Sequence, residues 1–277
     1  MKKIISTVLI CFVLIGCKSN QISGRSQFML IPEDMAISES NKAYKAMLTP
    51  IKKDGKLNTD PVMLERVKNI TERLVAQAVL YRPDSSGWNW SVQVIDQPEV
   101  VNAWAMAGGK MAIYSGLITK LEATDDEIAQ VMAHEISHAL LAHTQERMSR
   151  ALAMQLGITA MSIALQDEKY GGVAVQGTAL AAIVALELPN SRTAERESDR
   201  VGIEIAAKAG FDPRAAVTLW TKMADESGQK DSRFDFLSTH PAPIKRMEEL
   251  EKLTDAMMPF YEDKSTRPLH PVSGGDL

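Results

Sequence analysis

His134-Glu135-Ile136-Ser137-His138 constrains this chain more than any other stretch. Residues four apart share one face of an α-helix, so both imidazoles can reach one metal ion. Glu135, one step round, can meet a water held beside that ion. The context fits, because Thr124-Asp125-Asp126-Glu127 reads as a capping box with acids in the first turn. The helix it opens is expected to run to about Met148. Val131, Met132, Ala133, Ile136, Ala139 and Leu140 make that helix apolar and therefore buried. Buried imidazoles need partners.

A catalytic zinc site takes a third protein ligand and keeps one position open for water. His143 lies five residues after His138, which on a regular helix turns it about 140° away. With Leu at position 141, His143 reads as a structural or capping histidine rather than a ligand. The acidic run Glu195-Arg196-Glu197-Ser198-Asp199 puts Glu195 and Asp199 on one helical face, in a helix that Gly202 lets pack closely. One carboxylate of such a pair can bind zinc while the other accepts the spare N–H of a ligand histidine and fixes its tautomer.

The composition narrows the function classes. The chain has 277 residues, 45% hydrophobic, with 31 Lys and Arg against 35 Asp and Glu. That is ample apolar content for a packed core and excludes global disorder. A formal charge of -4 without long basic runs excludes a general binder of nucleic acid, which needs clustered cations. Both cysteines fall near the start. Lys2 and Lys3 precede an apolar run from Ile4 to Ile15, too short for a membrane span of about 20 residues but suited to a signal peptide. The run ends in Leu14-Ile15-Gly16-Cys17, which resembles the bacterial lipobox. Cleavage there would discard Cys11 and acylate Cys17, leaving 29 basic against 35 acidic residues and a charge of -6. Lys18 is not the Asp that retains lipoproteins at an inner membrane. The expected location is therefore an outer membrane, with the chain facing the periplasm.

Along the rest of the chain, residues 18–27 are polar and read as a flexible tether. Asp60-Pro61 starts a helix expected to end before Pro83. Trp88, Trp90, Val92 and Val94 alternate as in a half-buried strand, and Gly108-Gly109 separates 101–106 from 110–114 as in a hairpin or a sharply bent strand pair. Two apolar stretches, 151–165 and 173–188, read as a buried helical hairpin, with a lid or membrane-facing hairpin as the alternative. Further helices are expected from Pro189-Asn190-Ser191 to Gly210, from Asp212-Pro213, and after His240-Pro241-Ala242-Pro243. In the last, Ile244, Met247, Leu250 and Leu253 share one face. From about Thr266 the tail reads as loose.

Together these motifs resemble the HtpX and CAAX prenyl endopeptidase family of zinc metallopeptidases, metallopeptidase family forty-eight. The likeness runs from about Gly24 to Leu253. It rests on Asn102-Ala103-Trp104-Ala105-Met106-Ala107-Gly108-Gly109, His134 to His138, Ser191 to Asp199, and His240-Pro241 with Arg246. Ala107 departs from the Pro often found in the first motif. The resemblance implies an α+β, predominantly helical, zincin-like (gluzincin) fold with a small β-sheet whose edge strand lines the active-site cleft. It implies one zinc ion held by His134, His138 and Glu195, with Glu135 catalytic and Asp199 behind the ligands. It implies His240 as an oxyanion stabiliser or an occupant of zinc's open position at rest, with Arg246 orienting this region. Substrate would add as a strand beside Asn102, Ala103, Trp104 and Ala105.

The organisation that follows is a lipoprotein signal peptide over 1–16, a lipidated tether and N-terminal segment over 17–39, a metallopeptidase domain over 40–258 and a loose tail over 259–277. The expected function is a membrane-anchored endopeptidase that cleaves unfolded or misassembled envelope proteins. The alternative is a zinc-stabilised periplasmic chaperone or assembly factor for outer-membrane proteins with little or no proteolysis.

Overall fold

The computed structural model describes residues 17–164, 192–227, 236, 239–240 and 244–275. They divide into two compact units, Ile37–Leu141 with Pro189–Leu277, and Met1–Ala36 with Ala142–Leu188.

In the larger unit, helix α1 (Glu33–Lys53) lies on a three-stranded sheet, and Tyr44 and Leu48 form a buried cluster with Ile95 and Ala112. Helix α2 (Pro61–Tyr81) begins as expected: the Asp60 carboxylate accepts from the Val62 and Met63 amides, and Pro61 takes the first turn. The sheet is built from β3 (Ser91–Ile95), β4 (Ala103–Met106) and β5 (Lys110–Tyr114) in the order β3-β5-β4, with β3 parallel and β4 antiparallel to β5. All five residues of β3 are buried, where alternation predicted one wet face. The polar positions are covered by α1, whose Tyr44 hydroxyl lies 3.4 Å from the Ser91 hydroxyl. Gly108 and Gly109 turn the β4–β5 hairpin with φ of +81° and +77°. A Cβ on Gly109 would come within 2.4 Å of the Trp90 ring.

The two edges of this sheet differ. Along β3, the Asn58 amide bonds Val94 O at 2.8 Å, the Asp96 amide bonds Lys56 O at 2.8 Å, and Ser273 exchanges 3.0 Å bonds with Trp90 and Val92. The tail is therefore not loose. Val272 is buried, the His270 amide bonds Glu72 O, and the Arg267 guanidinium ties down the carbonyls of Lys208, Tyr261 and Asp263. Backbone pairing and one apolar anchor outweigh the local Pro, Ser and Gly content. The outer edge of β4 has no such covering strand among the described residues.

After the short helix α3 (Ser115–Thr119), the capping box forms as read: Thr124 Oγ1 accepts from the Glu127 amide and Glu127 Oε2 from the Thr124 amide. It opens α4 (Asp125–Leu140), which is buried from Glu127 to Leu140. Its end was misjudged at Met148. Arg82 Nη1 donates to Leu140 O at 3.1 Å, and Ala142 turns left-handed at φ +56°. A new helix, α5 (His143–Ala164), begins there. An alanine in that conformation costs on the order of 1–2 kcal/mol, and no glycine marks the break in the sequence.

Helix α6 (Arg192–Lys208) packs on α4 with Gly202 against His134, where a Cβ would sit 3.0 Å from His134 Cα. Gly210 ends it with φ +84°. Helices α7 (Ala215–Ser227) and α8 (Ile244–Glu262) complete the unit.

In the smaller unit, β1 (Cys17–Ser19) and β2 (Ser26–Phe28) pair as an antiparallel hairpin, so 18–27 is folded rather than a free tether. Asn20 Oδ1 holds the amides of Ile22 and Ser23, an Asx turn. The Arg25 guanidinium forks onto Glu146 of α5 at 2.9 and 2.7 Å. Burial alone would raise the Glu146 carboxyl, but Arg25 outweighs it and holds it below the usual carboxylate range. The first arm of the expected buried hairpin is half wet: Leu152 and Leu156 of α5 are exposed. Residues 165–191, with the second arm and the expected helix start, lie outside the described residues, as does 1–16. No described helix is long and apolar enough to cross a membrane.

Glu127 gives the fold a pH signature. Burial would raise its carboxyl, but Lys222 Nζ at 2.7 Å, the Thr124 amide and the Thr218 hydroxyl outweigh burial and lower it. That stabilisation is complete above the unfolded value of about 4.3 and is lost as pH falls through the lower folded value. Glu127→Gln should therefore destabilise the protein by about 1–2 kcal/mol near neutrality. In urea melts the gap to wild type should close on acidification, and a pH-independent gap would contradict the assignment.

Candidate metal centre

Helix α4 carries His134 and His138 on its buried face, α6 carries Glu195 and Asp199, and His240 and Arg246 come from the segment entering and beginning α8. All six side chains are buried. His134 Nε2 and His138 Nε2 stand 3.0 Å apart. Glu195 Oε2 lies 3.4 Å from His134 Nε2, and Glu195 Oε1 lies 3.4 Å from His138 Nε2. His240 Nδ1 lies 3.1 Å from Glu195 Oε1 and 3.3 Å from His134 Nε2. One donor atom from each of these four residues falls within 4.8 Å of every other. Two imidazoles and a carboxylate converging this closely match the donor type and span of a tetrahedral zinc site. His143 opens α5 in the other unit and is not in this group.

The outer contacts fix the inner ones. His134 Nδ1 faces Asp199 Oδ1 at 3.0 Å, which leaves Nε2 for the cluster. Arg246 donates to both oxygens of Asp199 at 2.7 Å and, through Nη1, reaches Glu195 Oε2 at 2.9 Å. Burial would lower the His134 imidazole, but Asp199 and Glu195 outweigh it and push it up to about 10. Burial would raise Glu195 and Asp199, yet the histidines hold Glu195 well below the usual carboxylate range, and His134 with Arg246 lower Asp199. The pocket is thus built to hold positive charge. Glu135 departs from that pattern: burial pushes its carboxyl up, partly offset by His240. Its Oε1 lies 3.4 Å from His240 Nε2 and has no hydrogen-bond partner among the described residues. The helix that carries Glu135 packs against β4.

Sequence reasoning missed two aromatic side chains. Phe236 stacks on His240 with ring centroids 4.5 Å apart and planes at 22°. Trp220 of α7 lies under the Arg246 guanidinium, 4.5 Å from its centroid. Neither sits in a motif. Trp220 carried only its place on an apolar helical face, and Phe236 had no periodic neighbours.

Paired histidines on one buried helix, a carboxylate from a second and a sheet edge packed against the helix of the intervening glutamate define a zinc metallopeptidase centre. Residues 59–254 match Peptidase family M48. The chain belongs to that family of zinc-dependent metalloendopeptidases. It is 29% identical over 253 residues to the mitochondrial metalloendopeptidase OMA1 of Saccharomyces cerevisiae, covering 87% of this chain and 70% of that one. It is 33% identical over 184 residues to the OMA1 of Arabidopsis thaliana, covering 65% of this chain and 36% of that one. With the putative beta-barrel assembly-enhancing protease of Vibrio cholerae it shares 32% identity over 212 residues, 74% of this chain and 41% of that one. The chain thus spans well under two thirds of the length of two of these three relatives.

Asp199→Asn should keep the fold and weaken zinc binding roughly 10- to 100-fold, because the His134 tautomer loses its charged partner. Competition against a chromogenic chelator measures this, and wild-type affinity in the variant would contradict the assigned contact.

Proposed function

We propose that this chain cleaves extended segments of unfolded or misassembled envelope proteins at a zinc centre formed by His134, His138 and Glu195. The observation that carries the reading is that the buried helix bearing His134, Glu135 and His138 packs directly on β4, the strand whose outer edge carries no partner strand among the described residues. When bound, zinc supplies Lewis acidity, making a water more acidic and polarising the scissile carbonyl. Glu135 accepts the proton of that water and delivers it to the leaving amine; its buried, raised carboxyl suits a group that must both take and give. His240 meets the negative charge developing on the carbonyl oxygen, after withdrawing from the donor cluster it now joins. Asp199 and Arg246 hold His134 and Glu195 in position.

Substrate adds as a strand along Asn102, Ala103, Trp104 and Ala105, whose outer edge carries no strand in the described structure. Main-chain pairing reads extension more than sequence, which favours unfolded chains over folded loops. The Leu14-Ile15-Gly16-Cys17 pattern and the exposure of Cys17 support a lipid anchor there, with an outer membrane facing the periplasm as the location.

A second reading, a zinc-stabilised assembly factor with little proteolysis, is favoured by relatives named beta-barrel assembly-enhancing proteases in Vibrio cholerae and Escherichia coli. Glu135→Gln separates the two. The variant should retain about one zinc per chain and lose cleavage of an unfolded protein by roughly 10²–10⁴-fold. Unchanged cleavage would sink the mechanism, and full biological rescue by the inactive variant would favour the assembly role.

A further inference from the structure

Trp220 stands outside every motif, yet two chains of contact run from it to the metal-facing side chains. Its indole is buried on α7, with the Arg246 guanidinium carbon 4.5 Å from the ring centroid. Arg246 is itself buried and uses its edge in full view of the cluster: Nε and Nη2 on Asp199, Nη1 on Glu195. The flat face of the guanidinium rests on the indole. The second chain runs through Phe236, whose ring centroid is 5.8 Å from that of Trp220 and 4.5 Å from that of His240. Phe236 also lies 6.3 Å from the His134 ring. One indole therefore braces a cation that reaches two site carboxylates and an aromatic ring that reaches two site histidines.

We infer that Trp220 is a positioning residue of the metal centre, acting through the plane of the Arg246 guanidinium. A planar fork can serve Asp199 and Glu195 together only in one orientation. The indole face selects that orientation by a desolvated cation–π contact, for which Trp is the best of the aromatic side chains. Tilting the guanidinium would release Asp199, and with it the tautomer of His134 and the direction of its Nε2. The inference rests on the reading of the cluster as a zinc site.

The test compares Trp220→Phe, which keeps an aromatic face, with Trp220→Met, which keeps apolar bulk and loses the face. Zinc affinity of the full chain is measured by chelator competition, beside thermal melts of the metal-free proteins and kcat and KM on an unfolded substrate. Trp220→Met is expected to weaken zinc at least about tenfold and to lower kcat more than it raises KM. Trp220→Phe should stay within about threefold of wild type, with both variants melting alike. In an Arg246→Lys background, which lacks the flat fork, the methionine change should have no further effect on zinc. Equal zinc affinity in the Phe, Met and wild-type proteins, or fully additive losses with Arg246→Lys, would overturn the inference. If Trp220→Met does not fold, Arg246→Lys alone must weaken zinc by at least tenfold, and wild-type affinity in it overturns the inference equally. A wild-type protein that binds no zinc removes instead the reading of the cluster on which this rests.

Discussion

Three carboxylates, those of Glu135, Glu195 and Asp199, are buried within one cluster, and carboxylates out of water stay ionised only beside positive charge. Arg246 provides one such charge, held at two of the three. The remainder has to come from the cavity where His134, His138 and Glu195 face one another, as a proton on an imidazole or as a metal ion. Everything nearby serves that requirement. Gly202 brings α6 against the backbone of His134, so that Glu195 and Asp199 reach across to α4. Asp199 takes the far nitrogen of His134 and frees the near one. A bound dication would then be part of the core rather than an addition to it, coupling metal occupancy to the stability of the α4–α6 contact.

The sheet follows a parallel logic. A sheet edge offers unpaired amides and carbonyls to any extended chain, and proteins usually cover it. Here β3 is covered twice, by residues 56–58 at one end and by Ser273 at the other. On the opposite side, β4 packs on the helix of Glu135 and its outer edge carries no partner strand among the described residues. Under the proposed function, that asymmetry would leave an incoming strand the side nearer Glu135.

What the sequence made legible follows from the range of the interactions. The capping box of Thr124 and Glu127, the shared face of His134 and His138, the pairing of Glu195 with Asp199 and the need for Gly202 are local or periodic, and they stand as read. The misjudgements concern tertiary contacts that override local signals. The helix was extended to Met148 because its end is set by Arg82, far away in sequence, and by a left-handed alanine. The tail and residues 18–27 read as loose because Ser273 and Arg25 find their partners, Trp90 and Glu146, more than a hundred residues away. Trp220 and Phe236 were invisible for the same reason: their roles exist only once α7 and the segment before α8 are brought to the cluster. Arg246 entered through its motif, but the indole beneath it did not.

The central claim is that one zinc ion sits among His134, His138 and Glu195. Anomalous diffraction from crystals of the full chain, recorded above and below the zinc absorption edge, tests it without reference to activity. One edge-dependent peak at bonding distance from both histidine Nε2 atoms and a Glu195 oxygen is the expected result. A cluster with no such peak after zinc supplementation, or a zinc ion bound elsewhere in the chain, would contradict it.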